Sequence, residues 1–408
     1  MSPSPQPALK RALGLPLLVF YGLGVTVGAG IFALIGEILG IAGSAAPLAF
    51  LIAGLIAAAT ARTYAILAPR FPKAGGAAVY ASEGLGAPAG RIVGIGVILT
   101  GVVSSAVISL AFAGYIGTVL PIPALILAAG LVAILAGIAA YGVRESVAFA
   151  AIITTLEVGT LAVVAAVGLP MLVASPALGE IVALPTDRLQ LDLLAAAAAV
   201  AFFAFIGFED IVNLAEETQK PEKTLGAAIA ITLAVSTLLY VLIAAIAAAA
   251  PERDAIAASD APLADLFAGL TGLPAAPITL IAAISMVNGI LVQLVMASRV
   301  LYGMASDGLL PAWIGNVSPT RRTPIRATIV IAVAIVALTL VAPMLGLAQA
   351  TGYITLAVFA AINISLFRLS RRTDWRGSRR LGWWGILGAT LCLGLVAYEA
   401  ARIAGVLN

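Results

Sequence analysis

Between positions 17 and 404 this chain carries eleven apolar runs of membrane-crossing length, and that repetition limits what it can fold into. The runs lie near 17–41, 46–68, 88–119, 122–141, 147–173, 193–214, 224–249, 276–306, 325–345, 350–368 and 382–404. At about 20 residues or more each they are read as helices, so the expected fold class is an all-α membrane bundle rather than several soluble domains. Composition agrees, with 62% hydrophobic residues and a mean hydropathy of +1.13. Only 22 basic and 19 acidic residues are present, against roughly a quarter charged in a soluble domain.

Several functions are excluded at this level. The chain has no histidine, which removes imidazole as metal ligand, general base or proton shuttle. Its one cysteine, Cys392, cannot form an intrachain disulfide. No cofactor is called for, and no nucleophile and base pair up as in an enzyme. The net charge of +3 comes with no basic run outside the short loops, so nucleic acid is not an expected partner, whereas membrane lipid is.

The cations also orient the bundle. With the N-terminus in the cytoplasm, 19 of the 22 fall at cytoplasmic ends, including Lys10, Arg11, Arg62, Lys73, Arg144, Arg321, Arg322 and the Arg368–Arg380 segment. Only Arg188, Arg253 and Arg402 lie on the other side. The expected location is the cell membrane, with a cytoplasmic tail over 1–16 and, after an odd number of spans, an external C-terminus. The first span, about 25 residues long, exceeds the apolar core of a cleavable signal and is read as retained. The arginine-rich segment near 368–380 reads as an ordinary cytoplasmic loop ahead of a lipid or partner site.

Two spans are interrupted at matching depth. Span 1 meets Gly28-Ala29-Gly30 about 17–20 Å from its start, and span 6 meets Phe205-Ile206-Gly207 at a similar depth while running the opposite way. That pattern describes two inverted five-helix repeats, residues 17–173 and 193–368, with a binding site at the bilayer midplane, and a further helix over 382–404. If span 1 unwinds at its glycines, the half-helix beyond them offers free N–H groups to a carboxylate, and the carbonyls of Val25 to Val27 suit an ammonium group. The other reading of the same glycines is close helix packing, as in small-xxx-small pairs such as Gly24 and Gly28. Span 6 adds Glu209 and Asp210, carboxylates that cost roughly 2.5–3.5 kcal/mol each deep in a bilayer and so usually face a cavity. Asp210 also fits a place nearer the cytoplasmic edge.

Four separated motifs resemble the amino acid–polyamine–organocation transporters. The first is Gly28-Ala29-Gly30-Ile31-Phe32, and the second runs from Phe203 through Gly207-Phe208-Glu209 to Ala215-Glu216-Glu217 and Pro221-Glu222-Lys223. The third is Tyr64-Ala65 with Phe71-Pro72-Lys73-Ala74-Gly75-Gly76 and Tyr80, and the fourth is Ala297-Ser298-Arg299 through Met304 with Asp307-Gly308-Leu309-Leu310-Pro311. The chain departs from the family pattern at Ile66, where Glu is frequent, and at Gly226, where Pro is frequent. The resemblance implies the LeuT-type five-plus-five inverted-repeat fold and alternating-access transport of an amino acid or related amine, by proton symport or by exchange. A sensor or channel using the same pocket is the alternative, although spans 3, 4, 7, 9 and 10 are too apolar for a continuous polar lining.

By resemblance the substrate main chain lies between helices 1 and 6, at Thr26, Val27, Gly28, Ala29, Gly30, Ile31, Ile206 and Gly207, with helices 3, 8 and 10 around its side chain. Depth counting puts Ser104, Ser105 and Asn288 near the midplane, where they serve either substrate or interhelical hydrogen bonds. Phe203 and Phe205 read as an aromatic gate or as packing. In span 5 Glu157 lies about 15 Å deep, where several proton-coupled relatives hold a lysine. Three readings stay open for it: a carboxyl that takes up and releases a proton during transport, a permanently protonated structural group, and a contact for a cationic substrate. Glu209 is the second candidate for proton coupling. The topology has a direct check: a reporter fused at Asn408 should report from the external side and one within Arg371–Arg379 from the cytoplasmic side.

Overall fold

The computed structural model describes residues 13–71, 76–141, 147–306, 310–318, 323–375 and 378–404. The tail up to residue 12, the cations Lys10, Arg11, Lys73, Arg144, Arg321, Arg322 and Arg376, the motif residues 72–75 and 307–309, and Asn408 lie outside them. Among the described residues all regular structure is helical apart from one isolated bridge between Leu13 and Thr218. The helices are α1 (Leu15–Ala42), α2 (Ala46–Leu67), α3 (Gly76–Leu85), α4 (Ala87–Gly117), α5 (Ala124–Tyr141), α6 (Val147–Ala174) and the short α7 (Leu178–Ile181). They continue with α8 (Arg188–Ala201), α9 (Pro221–Ala249), α10 (Arg253–Ala257), α11 (Pro262–Thr271), α12 (Ala276–Ser306), α13 (Ile325–Val341), α14 (Met344–Ser370) and α15 (Gly382–Ile403).

Nine stretches among the described residues are long and apolar enough to cross a membrane, the first of them holding both α1 and α2. α13, with 17 residues, is shorter. The protein is thus a multi-pass membrane protein. Short helices the apolar runs do not reveal, α3, α7, α10 and α11, fill the connections. They are too short or too polar to register as spans, yet α10 and α11 both pack on α1.

α1 is the centre of the bundle. Its residues from Gly22 to Gly36 are buried except Val25, and it packs against α6, α8, α9 and α12. A helix apolar all round has no preference for a lipid-facing side, so it goes inside. Large apolar side chains such as Ile126 and Ile134 of α5 or Val163 and Val173 of α6 are exposed, as the outer surface of a bundle in lipid requires. Near one end of α1, the Tyr115 hydroxyl of α4 donates to the Phe32 carbonyl at 3.0 Å and accepts from the Leu263 N–H at 3.3 Å, joining α4, α1 and α11.

α15 is integrated rather than peripheral. Asn363 of α14 accepts from the Thr63 hydroxyl at 2.6 Å and donates to the Thr60 hydroxyl at 2.8 Å, tying α14 to α2. Cys392 of α15 sits 3.6 Å from that Thr60 hydroxyl. Gly385 and Gly388 let α15 lie directly on Asn363: a Cβ at Gly388 would stand 2.6 Å from the Asn363 Oδ1, and one at Gly385 would run into the Asn363 carbonyl. At the far end Tyr398 bonds Asp192 of α8, and Arg402 pairs with buried Glu399 at 2.8 Å. Of the arginine-rich segment, Arg371 stacks on Phe367 and Trp383, while Trp375 receives Arg70 at 4.0 Å from its ring centre. Because the obstacle at Gly385 is backbone, Gly385→Leu should undock α15 and lower stability in detergent by about 1–3 kcal/mol, read as a lower midpoint of thermal unfolding.

Candidate functional site

The irregular backbone lies in the sixth span. After α8 the chain tightens into a 3₁₀ turn at Phe202–Phe205, Ile206 is extended, and a second 3₁₀ segment follows at Phe208–Glu217. Gly207 has φ +120°, a conformation that favours glycine, and a Cβ there would also meet the Val25 side chain at 2.7 Å and its carbonyl at 2.9 Å. The glycine therefore allows the turn and lets it press on α1. The Gly207 N–H donates to the Glu209 carboxylate at 2.8 Å, so a residue of the break caps the break. Runs of 3₁₀ beyond four residues are uncommon, and this one extends over ten.

The expected break in the first span is absent: α1 runs unbroken from Leu15 to Ala42. Its glycines serve close approach instead. A Cβ at Gly30 would lie 2.5 Å from the Cα of Ala204, and Gly22 and Gly24 face Ile211 and Thr154 in the same manner. The amides of Gly28 and Gly30 accordingly stay inside a helix and present no free N-terminus. Close packing thus holds at Gly22, Gly24 and Gly30, whereas Gly28 is not closely packed.

Seven of the proposed substrate residues meet around one small cavity of about 30 Å³: Thr26, Ala29 and Gly30 of α1, Ser104 of α4, Phe203 and Ile206 at the break, and Asn288 of α12. The Thr26 hydroxyl has no hydrogen-bond partner among the described residues. The Ser104 hydroxyl reaches back to the Gly101 carbonyl at 3.3 Å. The remaining candidates lie elsewhere. Val27 and Ile31 are fully buried in the core, Ser105 donates to the Gly101 carbonyl at 2.7 Å, and Phe205 packs on the Tyr240 ring at 5.2 Å. Gly28 points toward Glu157, whose Oε1 would be 3.9 Å from a Cβ there.

Two residues absent from the sequence reading hold the site together. Tyr240 of α9 directs its hydroxyl at the Thr26 carbonyl (2.7 Å) and the Ala204 carbonyl (3.0 Å), bridging α1 to the broken segment. The available signal was the one aromatic side chain in a largely aliphatic span. Gln293, five residues beyond Asn288 on α12, lines the small cavity and also an adjoining one of about 450 Å³. Ile206 and Val292 are shared in the same way, and the larger space is bounded by Glu209, Asp210, Tyr64 and, farther along, Glu217 and Arg299.

Glu157 lines neither cavity. It is fully buried with the Ser285 hydroxyl of α12 as its polar neighbour, and neither carboxyl oxygen reaches full hydrogen-bond geometry with a described residue. Leaving a buried polar group unpaired costs free energy, and inside a membrane such groups mark working positions.

Comparison with known proteins places this arrangement. Residues 13–401 match the family model described as amino acid permease. A mitochondrial cationic amino acid transporter 3 of Arabidopsis thaliana is 31% identical over 88% of this chain, and the chain spans 62% of that relative's length. A second Arabidopsis relative, the vacuolar cationic amino acid transporter 4, is likewise covered over 63% of its length. An uncharacterized transporter of Mycobacterium tuberculosis is 32% identical over 97% of this chain and 92% of its own length. The branched-chain amino acid permease BcaP of Bacillus subtilis is 28% identical over 90% of this chain and 83% of its own length.

Gly28 and Gly30, two residues apart, give opposite expectations. Gly30→Ala should weaken both stability and substrate binding, by about 1–3 kcal/mol of overpacking against Ala204. Gly28→Ala has ordinary contact distance available and should leave both near wild type, as measured by unfolding in detergent and by ligand binding to the same preparations.

Proposed function

The chain belongs to the amino acid permease family, and from that premise we propose that it moves an amino acid across the membrane by alternating access, with the substrate's main-chain end at the break in the sixth span. The observation that carries this reading is the 30 Å³ cavity, which joins the Ile206–Gly207 turn to polar groups of α1, α4 and α12. Irregular backbone at membrane depth is tolerated where it borders a cavity, and a broken helix at the midplane is where secondary transporters bind substrate. The substrate contacts are Thr26, Ala29, Gly30, Ser104, Phe203, Ile206 and Asn288. The repeats comprise residues 17–173 and 193–368, the N-terminus is cytoplasmic, and the last helix ends outside.

The Arabidopsis and Bacillus relatives are both named for amino acids and differ on the side chain, cationic in the former and branched in the latter. Coupling to protons falls to Glu157 in this reading. It is sealed from both cavities, beside Gly28 of α1 and Ser285 of α12, at a contact that any relative motion of these helices must alter. Glu209, by contrast, faces the large cavity and caps the Gly207 amide.

Reconstitution into liposomes, with pH gradient, sodium gradient and internal substrate varied independently over a panel of labelled amino acids and amines, tests the reading. Absence of saturable uptake across the panel would refute it. Within the same assay Glu157→Gln should keep substrate exchange but lose accumulation driven by a pH gradient, because the amide mimics the protonated carboxyl. Retained proton-driven accumulation in that variant would remove Glu157 as the coupling residue.

A further inference from the structure

We infer that the groove between α2 and α9, on the outer face of the bundle, binds an anionic phospholipid, with the lipid phosphate on Arg62 and one acyl chain along the groove. The site is separate from the cavities at the break and does not depend on which substrate is carried.

The groove has the dimensions of a lipid chain. Its volume is about 520 Å³, within the range of small-molecule sites. The α2 wall runs from Leu51 to Ala65, about 21 Å at 1.5 Å per residue, and one leaflet's share of the hydrocarbon core is about 15 Å. An acyl chain can therefore lie in it over its full depth in one leaflet. Leu55 and Leu238 on the lining are 60% and 68% exposed, which puts the groove on the lipid-facing side. Two glycines give it a floor. A Cβ at Gly54 would stand 2.7 Å from the Thr237 hydroxyl and 3.2 Å from the Phe205 ring, and one at Gly226 would stand 3.2 Å from the Ala65 Cβ. The two helices thus meet beneath the groove, and glycine at 226 belongs to that contact.

Charge identifies the occupant. Among the described residues of the lining Arg62 alone is ionisable, and it is exposed. Its guanidinium has neither a hydrogen bond nor an ion pair among the described residues. It sits about 7.5 Å short of Leu67, the last residue of α2, where an unpaired charge in apolar surroundings is costly. Just beyond the groove, at the start of α9, exposed Glu222 and Lys223 offset each other and leave Arg62 to set the local charge. A guanidinium matches a phosphate through paired N–H donors. A sterol would bring no anion to it, and a second copy docked on the same groove about a two-fold axis would set Arg62 against Arg62. An anionic phospholipid supplies both the chain and the charge. Basic pockets between membrane helices on the cytoplasmic side, where Arg62 lies in the orientation proposed above, suit such head groups.

The test puts a fluorescent reporter in the groove. Leu55→Trp, about 10 Å along α2 from Arg62, is introduced into the full-length protein and reconstituted into vesicles that mix phosphatidylglycerol and phosphatidylcholine of identical chains. One or the other lipid is brominated to quench the tryptophan, and the signal of the protein without the reporter is subtracted. Phosphatidylglycerol should occupy the site at least about tenfold more strongly than phosphatidylcholine. Arg62→Gln in the reporter background should bring that ratio to about one, whereas Arg62→Lys, which keeps the charge and loses the fork, should fall between. The ratio is read within one preparation, so a reduced yield of folded variant does not imitate the effect. Equal quenching by the two lipids with Arg62 in place, or a preference that survives Arg62→Gln, would overturn the inference. Quenching by neither lipid would overturn it as well and assign the groove to a second copy of the chain.

Discussion

Everything distinctive about this molecule follows from the rule that main-chain polar groups deep in a bilayer must find partners inside the protein. Most of the chain meets it by being helical. At Ile206–Gly207 it is met differently, with the Gly207 amide held by Glu209 and the Ala204 carbonyl by Tyr240, on a surface made flat by the glycines of α1. The break exists because α1 is smooth enough to lie against it. The cavity exists because the break cannot fill the space a regular turn would occupy.

The same pairing explains which parts of the architecture were legible in the sequence. Apolar runs of spanning length need no tertiary information, so among the described residues ten of the eleven expected runs each coincide with a long α-helix, α1 at Leu15–Ala42 and α15 at Gly382–Ile403 among them. The sixth, ending as a regular helix at Ala201, is the exception, and it is the one whose interior carries a glycine followed by two carboxylates. Those charges made the interruption readable, since nothing in ordinary packing explains them in an apolar run. In the first span glycine stood without charge, and glycine alone is equally consistent with unwinding and with close approach; only the position of Ala204 opposite Gly30 separates the two.

Side-chain roles were harder to read for a related reason. Depth along a span places a residue at a height but not on a face. Ser104 and Ser105 share a height, yet one borders the cavity and the other bonds back to its own helix. Thr26 and Val27 divide in the same way. Tyr240 and Gln293 matter through what they touch on other helices, and no spacing rule connects position 240 to 26 or 293 to 206. Asn363 belongs with them, since its worth comes from Thr60, Thr63 and the glycine face of α15.

The bridge between Leu13 and Thr218 bears on motion. The Leu13 N–H donates to the Glu217 carbonyl at 3.0 Å, and the Gln219 N–H returns to the Leu13 carbonyl at 2.9 Å. These bonds fasten the residue ahead of α1 to the stretch that closes the broken segment. The start of α1 and the end of the break are thereby yoked: either can swing only by carrying the other along or by surrendering both bonds. A rearrangement felt at Gly207 thus has a mechanical route to the first turn of α1, through a linkage whose strength depends on backbone alone and which side-chain substitution would leave intact.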